Sequence, residues 1–285
     1  MRADGRASDT AIFAALQRAA HQILDDPPRI LEDPVAVGLS PGSTQEAILN
    51  AAEELRRPTM KVLRSTIVFR SRFAEDTLRD AVEAGVRQFV LLGAGFDTFA
   101  YRQPAWSNAL RIFEVDHPAS QAFKKRRLAA MGIVPSANVT FCPLDFENVS
   151  IKAGLRAASF DYSQPAFLSW LGVTQYLTRD AVLDTLGFVR GLAAGSQIVF
   201  EVHLPESEMP ESERTVARFA AEASAARGEP WLTHFLPEEM RGLLAGLGYQ
   251  SCFHLTQDEA QARYFQGRRD GLRASAMSQF LIGTV

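Results

Sequence analysis

From residue 86 onward, short apolar runs alternate with segments of helical pattern. Buried strands joined by helices form parallel sheets with right-handed crossovers. The alternation therefore predicts an α/β fold built on a doubly wound sheet. The apolar runs span 89–92, 110–115, 139–144, 166–171 and 198–202, and the helical patterns span 118–131, 150–158 and 178–192.

Both ends of the chain depart from this alternation. Residues 1–85 carry amphipathic helical patterns and are predicted to be helical. Residues 249–255 and 279–285 have strand patterns without a clear helix between them, which predicts an antiparallel pair at the sheet edge. We expect one compact unit, in which the α/β domain, 86–285, carries a helical insertion at about 204–236.

Charge and cysteine content exclude several classes of protein. The net charge of −3 gives no field that would attract nucleic acid or an anionic membrane. The basic run 124–127 lies in a predicted helix and is interpreted as a solvated face rather than a phosphate-binding patch. Two distant cysteines predict neither a disulfide framework nor a metal site. With no signal peptide or membrane span, the sequence predicts a cytoplasmic protein. It does not indicate the oligomeric state.

The strongest local signal is the turn Gly93-Ala94-Gly95 directly after the first strand. Ligands of open α/β sheets bind at the carboxyl ends of the strands, and glycine lets the backbone approach a ligand closely. The third glycine of the dinucleotide fingerprint is replaced by Thr98. The turn alone is therefore compatible with a nucleotide site or with a tight structural turn.

Two further strand ends carry polar or aromatic side chains. Asp116 ends the second strand about 20 residues beyond the glycines, the spacing at which a carboxylate binds a ribose diol. Asp145 and Phe146 follow the third strand and could meet the amino group and the face of an adenine. A helix cap at Asp116 and an ordinary turn at Asp145 are the alternatives. Together, the three strand ends predict an adenosine-type ligand.

Two classes of enzyme bind such a ligand. A nicotinamide-dependent oxidoreductase needs a pyrophosphate cradle at a helix N-terminus, and Asp97 beside a diphosphate would repel it. S-adenosyl-L-methionine joins an adenosine to a sulfonium cation and tolerates nearby acids. The residues favour the methyl donor, while a binding protein without methyl transfer also remains open.

Five segments resemble the leucine carboxyl methyltransferase family, and more closely its bacterial branch of S-adenosylmethionine-dependent O-methyltransferases. The matching spacing runs from about residue 8 to 285. The resemblance implies a class I methyltransferase sheet of seven strands with the last one antiparallel, and an added N-terminal helical cover, residues 1–85. It also implies contacts of Gly93, Ala94 and Gly95 with the methionine part, of Asp116 with the ribose, and of Asp145 and Phe146 with the adenine. The segments are Leu92–Arg102, Phe113–Pro118, Leu144–Phe146, Gly172–Leu177 and Ala262–Arg268.

The family also pairs an arginine before the first strand with the cofactor carboxylate. Arg70 and Arg72 are the candidates, and Arg18 is a weaker one. Exposed helix arginines without that role are the alternative. Leu171 stands where the family often has a glutamate near the cofactor, which puts one polar contact in doubt.

The methyl acceptor is predicted to be a small molecule. Tyr176, Glu201 and His203 lie at or just past strand ends and are the catalytic candidates, while Trp231, His234 and Phe235 are candidate pocket residues or ordinary packing. A carboxylate acceptor needs no base at neutral pH, whereas a hydroxyl benefits from one. The sequence therefore predicts a small-molecule O-methyltransferase, with a carboxylate among the acceptors considered.

Overall fold

The computed structural model describes residues 8–145 and 148–285. Its sheet has seven strands in the order β3-β2-β1-β4-β5-β7-β6. The first five strands begin and end within one residue of the predicted apolar runs. The strands are β1 (Gln88–Leu92), β2 (Arg111–Asp116), β3 (Val139–Pro143), β4 (Ala166–Trp170), β5 (Gln197–His203), β6 (Ser251–Leu255) and β7 (Ser278–Thr284).

Strands β1 to β5 are mutually parallel, and β7 runs antiparallel to both β5 and β6. The prediction of a class I methyltransferase sheet with an antiparallel last strand is therefore confirmed. The last strand lies inside the sheet, between β5 and β6, rather than at its edge. The order of the parallel strands reverses between β1 and β4, which is where such sheets bind ligands.

Helices cover both faces of the sheet and the N-terminal side of the molecule. Ser8 caps the first helix by accepting a hydrogen bond from the backbone of Ala11, and Pro58 opens the longest one. The helices are α1 (Asp9–Leu24), α2 (Gln45–Asn50), α3 (Ala52–Leu55), α4 (Pro58–Glu83), α5 (Pro118–Ala130), α6 (Ile151–Ala157), α7 (Arg179–Arg190), α8 (Glu211–Ala225), α9 (Pro237–Leu247) and α10 (Gln257–Ala260). Helix α8 lies in the predicted insertion.

Alternate residues of each strand pack against different helices, as the pleat of a strand requires. On one face, Phe89, Phe167 and Phe280 share a cluster with Phe69 and Phe73 of α4. The opposite face packs against apolar residues of α7 and α9. Helix α4 of the N-terminal segment thus covers one face of the sheet directly. Within residues 8–145 and 148–285, no helix has the length and apolar character that crossing a bilayer requires.

The basic run 124–127 is not a uniformly solvated face, and that interpretation is wrong for Lys124. This side chain is 1 % exposed, and its Nζ lies 2.9 Å from both carboxylate oxygens of Glu114. The hydroxyl of Tyr101 donates to the same carboxylate at 2.9 Å. Lys124 is buried because it is on the side of α5 that faces β2, whereas Lys125 is exposed.

Candidate active site

The turn after β1 is shaped by its two glycines. Gly93 (φ 68°) and Gly95 (φ 46°) lie in the left-handed region that favours glycine. A Cβ atom on Gly93 would lie 2.7 Å from Cγ2 of Val173, so a side chain there would collide with the residues after β4. The N–H groups of Gly93 and Ala94 donate to the Val115 carbonyl at 2.9 and 3.1 Å. These contacts hold the turn open against β2.

Asp116 lies at the end of β2 and faces this turn. One carboxylate oxygen accepts a hydrogen bond from the backbone N–H of Gly95, and the other accepts from the N–H of His117 at 2.6 Å. Burial raises the pKa of Asp116, while these two donors act in the opposite direction. The sequence placed Asp116 at a ligand-facing strand end, and the structure brings it against the glycine turn.

Asp145 follows the end of β3, the strand beyond β2. It is partly buried, and its carboxylate accepts a hydrogen bond from the Asn148 side chain at 2.7 Å. The backbone N–H of Leu144 donates to the carbonyl of Asp116 at 2.8 Å, so the second and third predicted strand ends are adjacent. Phe146, the predicted adenine contact, lies outside the described residues.

Arg70 of α4 reaches the carboxyl ends of β4 and β5. Its Nη1 atom lies 2.7 Å from Oε1 of Glu201, a fully buried residue of β5. The guanidinium lies against Gly172, where a Cβ atom would be 2.7 Å from Nη2. Because Gly172 precedes Val173, which touches Gly93, this ion pair is connected to the glycine turn through two contacts.

Arg72 lies on another side of α4. It makes two 3.0 Å hydrogen bonds to Asp76, four residues later, and Nη1 donates to the carbonyl of Ile30 at 3.4 Å. Tyr264 donates to the same Asp76 carboxylate at 3.0 Å. The structure therefore separates the two candidate arginines and places only Arg70 in contact with another predicted site residue.

A second arginine reaches the glycine turn from α1. Arg18 donates to the carbonyl of Phe96, next to Gly95, and its Nε lies 2.9 Å from Asp33. Arg102 contacts the other oxygen of Asp33 at 3.4 Å and donates to Glu75 at 2.9 Å. Sequence reasoning ranked Arg18 low and missed Arg102 as a support of the turn, although Arg102 ends the first motif segment.

Leu171 and Tyr176 lie on the segment that follows β4. Leu171 packs against the apolar cluster between α4 and the sheet, so no polar group is present at that position. Tyr176 is half-buried at the end of the short turn Thr174–Tyr176. The hydroxyl of Thr174 donates to the backbone carbonyl of Glu201 at 2.6 Å, which ties this turn to β5.

His203, at the end of β5, contacts the segment after α8. Its ring centroid lies 4.3 Å from that of Trp231, and the Trp231 and His234 centroids are 6.3 Å apart. The N–H of Phe235 donates to the backbone carbonyl of His203 at 3.0 Å. The structure thus brings His203 together with the three aromatic pocket candidates.

Five buried polar atoms at this end of β5 have no hydrogen-bond partner among residues 8–145 and 148–285. Buried polar groups are satisfied in the great majority of cases, so a local group of exceptions calls for an explanation. We call the five residues the β5 wall. The atoms are Oε1 of Gln175, Oε2 of Glu201, Nδ1 of His203, Nε1 of Trp231 and Oγ of Ser278.

The pH dependence of stability should contain a component from His203. Burial, with the charges of His234 and Arg70 nearby, lowers the pKa of His203 to about 3. In the unfolded chain the histidine has a pKa of about 6.5. Below that pH the unfolded chain binds a proton at this residue that the folded chain does not bind. Stability is therefore lost as the pH falls from about 6.5 toward 3, by up to about 1.4 kcal/mol per pH unit.

Denaturant unfolding at pH 7 and pH 5 measures this component. His203→Gln should lose less stability between the two pH values than the wild type does. His254→Gln is the matched control, since His254 lies on β6 and bonds the side chain of Gln279. Equal losses in wild type and His203→Gln would show that His203 is not held neutral by burial.

Comparison with known proteins gives the geometry a family context. The model of the leucine carboxyl methyltransferase family matches residues 11–190, which is more than half of the chain. The chain belongs to this family. The Bacillus subtilis protein named "Putative S-adenosyl-L-methionine-dependent methyltransferase YktD" is 29 % identical over 93 % of each chain. The Frankia alni protein of the same description, FRAAL3718, is 33 % identical over 89 % of this chain and 86 % of its own.

Solved structures agree at the level of the fold. The crystal structure of "a putative methyltransferase" from Thermobifida fusca superposes with a TM-score of 0.59 at 17 % identity, covering 99 % of this chain and 96 % of its own. As a member of the leucine carboxyl methyltransferase family, the protein is an S-adenosyl-L-methionine-dependent methyltransferase. The resemblance, cofactor and enzyme class predicted from the sequence are thereby confirmed.

Proposed function

We propose that this methyltransferase is a cytoplasmic enzyme that acts on an oxygen atom of a small molecule. The observation that carries the proposal is the meeting of the glycine turn, Asp116 and the Arg70–Glu201 pair at neighbouring strand ends. Such a site offers backbone for close approach, a carboxylate for a diol and a cation for a carboxylate. Free thiols at Cys142 and Cys252 are compatible with a reducing compartment.

The residues present fit S-adenosyl-L-methionine. Asp116 is assigned to the ribose hydroxyls, and the backbone of Gly93, Ala94 and Gly95 to the methionine part. Asp145 is assigned to the adenine amino group and Phe146 to the face of the adenine ring. Of the two arginines, Arg70 is assigned to the cofactor carboxylate, because it lies against Gly172 beside the glycine turn, whereas Arg72 lies on another side of α4 with Asp76.

When bound, this cofactor supplies a methyl group on a sulfonium that is already activated toward nucleophiles. The chain then needs to orient the acceptor and keep water away rather than provide a covalent nucleophile. The buried residues Leu204 and Met277 form, with partly buried Trp231, an apolar cluster beside His203 that serves this purpose. Tyr176, Glu201 and His203 are proposed to face the acceptor.

Calorimetry with the product S-adenosylhomocysteine tests this function. We expect binding in the micromolar range and no measurable heat with NAD, because Asp97 and the missing third glycine disfavour a diphosphate. Mass spectrometry of the natively purified protein should detect adenosylmethionine or adenosylhomocysteine. Tight NAD binding without an adenosylhomocysteine signal would favour the oxidoreductase alternative instead.

A further inference from the structure

The β5 wall is built from four separate parts of the chain that contact one another. Glu201 and His203 are two residues apart on β5 and share one face of the sheet. Ser278 of β7 is paired directly with His203. Trp231 packs its ring on His203, and the N–H of the next residue, Leu232, donates to the backbone carbonyl of Gln175 at 2.6 Å.

The unpartnered atoms determine which hydrogen-bond donors and acceptors a ligand needs. Trp231 Nε1 can only donate, whereas Glu201 Oε2 accepts and the Ser278 hydroxyl does both. A neutral imidazole donates from one nitrogen and accepts at the other, so His203 can fill either role. A hydroxyl both donates and accepts, and it can therefore satisfy this mixed set. A carboxylate only accepts and would leave the side-chain oxygen of Gln175 without a donor.

The charges at the β5 wall also favour a hydroxyl over a carboxylate. Arg70, the cation that contacts it, is bound to the carboxylate of Glu201 at 2.7 Å and is assigned to the cofactor carboxylate, so it is not free for a second carboxylate. His203 is 4 % exposed and lies within the influence of Arg70 and His234, which favours its uncharged form. Burying a carboxylate without a free cation is costly, whereas burying a hydrogen-bonded hydroxyl is not.

We propose that the β5 wall binds an uncharged hydroxyl compound as the methyl acceptor, and that His203 takes the hydroxyl proton during transfer. This inference rests on the proposed O-methyltransferase function and narrows its substrate class from oxygen nucleophiles in general to alcohols and phenols. The family resemblance alone left a carboxylate open.

The proton and the charge balance in this step. The acceptor oxygen forms its bond to the methyl carbon as the carbon–sulfur bond breaks, and sulfur keeps that electron pair as a neutral thioether. The hydroxyl proton passes to the imidazole of His203. One positive charge leaves the sulfonium and one appears on the imidazolium, so the net charge of the buried site does not change.

A fragment titration of the adenosylhomocysteine-loaded protein tests the acceptor class. Matched pairs differ only in the reacting group: phenol with benzoate, and cyclohexanol with cyclohexanecarboxylate. The readout is the indole N–H resonance of Trp231 in a ¹⁵N spectrum, assigned among the three tryptophans with Trp231→Phe. We expect the hydroxyl fragments to shift this resonance at concentrations at least tenfold below their carboxylate partners.

Variants separate the role of His203 from cofactor binding. With any hydroxyl acceptor that is turned over, His203→Ala should lower the rate, but by less than the roughly 10²–10⁴-fold of a general base whose pKa lies near the operating pH, because burial lowers the pKa of His203. Its affinity for adenosylhomocysteine should stay within threefold of wild type. His254→Ala, on β6, is the control expected to retain activity.

The outcomes distinguish a failure of this inference from a failure of the proposed function. If carboxylate fragments shift Trp231 first, or if neither class shifts it while adenosylhomocysteine binds, the hydroxyl acceptor is overturned. An active His203→Ala variant removes the proton-accepting role. If adenosylhomocysteine itself does not bind, the cofactor assignment and the proposed function fail instead.

Discussion

Replacing Asp116 with alanine is expected to weaken adenosylhomocysteine binding by about 30- to 1,000-fold, since hydrogen bonds to a charged group contribute about 1.5–3 kcal/mol each. The carboxylate has two tasks, because it is assigned to the ribose and also accepts hydrogen bonds from Gly95 and His117. The variant therefore loses ligand contacts and a support of the glycine turn together. Calorimetry on the folded variant measures the change.

Asp116→Asn should have an intermediate effect. Both carboxylate oxygens accept hydrogen bonds from backbone N–H groups. The asparagine amide would therefore direct its own N–H₂ group at one of these two donors. Asp180→Ala, at an exposed position in the first turn of α7, is the control and should bind like wild type. Wild-type affinity in a folded Asp116→Ala variant would mean that the ribose is held elsewhere.

Lys124→Met is expected to destabilise the protein by about 3–5 kcal/mol, because it leaves Glu114 as an uncompensated buried carboxylate. For a chain of this size that loss corresponds to a decrease in Tm of about 5–15 °C. Thermal unfolding followed by circular dichroism measures it. The decrease reflects the cost of an unpaired charge rather than the net value of the pair.

A double variant tests this reason for the loss. Glu114→Gln combined with Lys124→Met removes both charges and keeps an acceptor for the Tyr101 hydroxyl, so it should recover at least half of the lost stability. Lys125→Met, exposed in the same basic run, should change the stability by less than about 1 kcal/mol. A double variant as unstable as Lys124→Met would locate the effect in packing.

The parts of the fold set by local pattern could be predicted from the sequence. Buried strands read as continuous apolar runs, so β1 to β5 were located within one residue. Gly93 and Asp116 could be singled out because the end of a ligand-binding strand constrains residue type and spacing at once, and their contact with the cofactor stays a prediction. The insertion of β7 between β5 and β6 was not predicted, because edge order depends on strand pairing and not on either strand's own sequence.

The side chains of the site were harder to predict. The basic run does not indicate that Lys124 faces β2. With four charged residues in a row, the sequence shows no alternation that would distinguish the buried side of the helix from the exposed side. The pair Arg72 and Asp76 did carry a signal, because charges four residues apart on a helix bind each other. Gln175, Trp231 and Ser278 come together only through tertiary packing, and no local motif connects them.

The hydrogen bond from Arg18 to the carbonyl of Phe96 makes the glycine turn depend on the N-terminal segment. The glycine turn belongs to the sheet, but one of its supports comes from α1, near the other end of the N-terminal segment. Asp33 extends this support by binding both Arg18 and Arg102. A chimera that exchanged residues 1–85 between relatives would therefore alter the support of the glycine turn, which is assigned to the cofactor. We therefore expect the affinity for the cofactor to depend on the N-terminal segment as well as on the sheet.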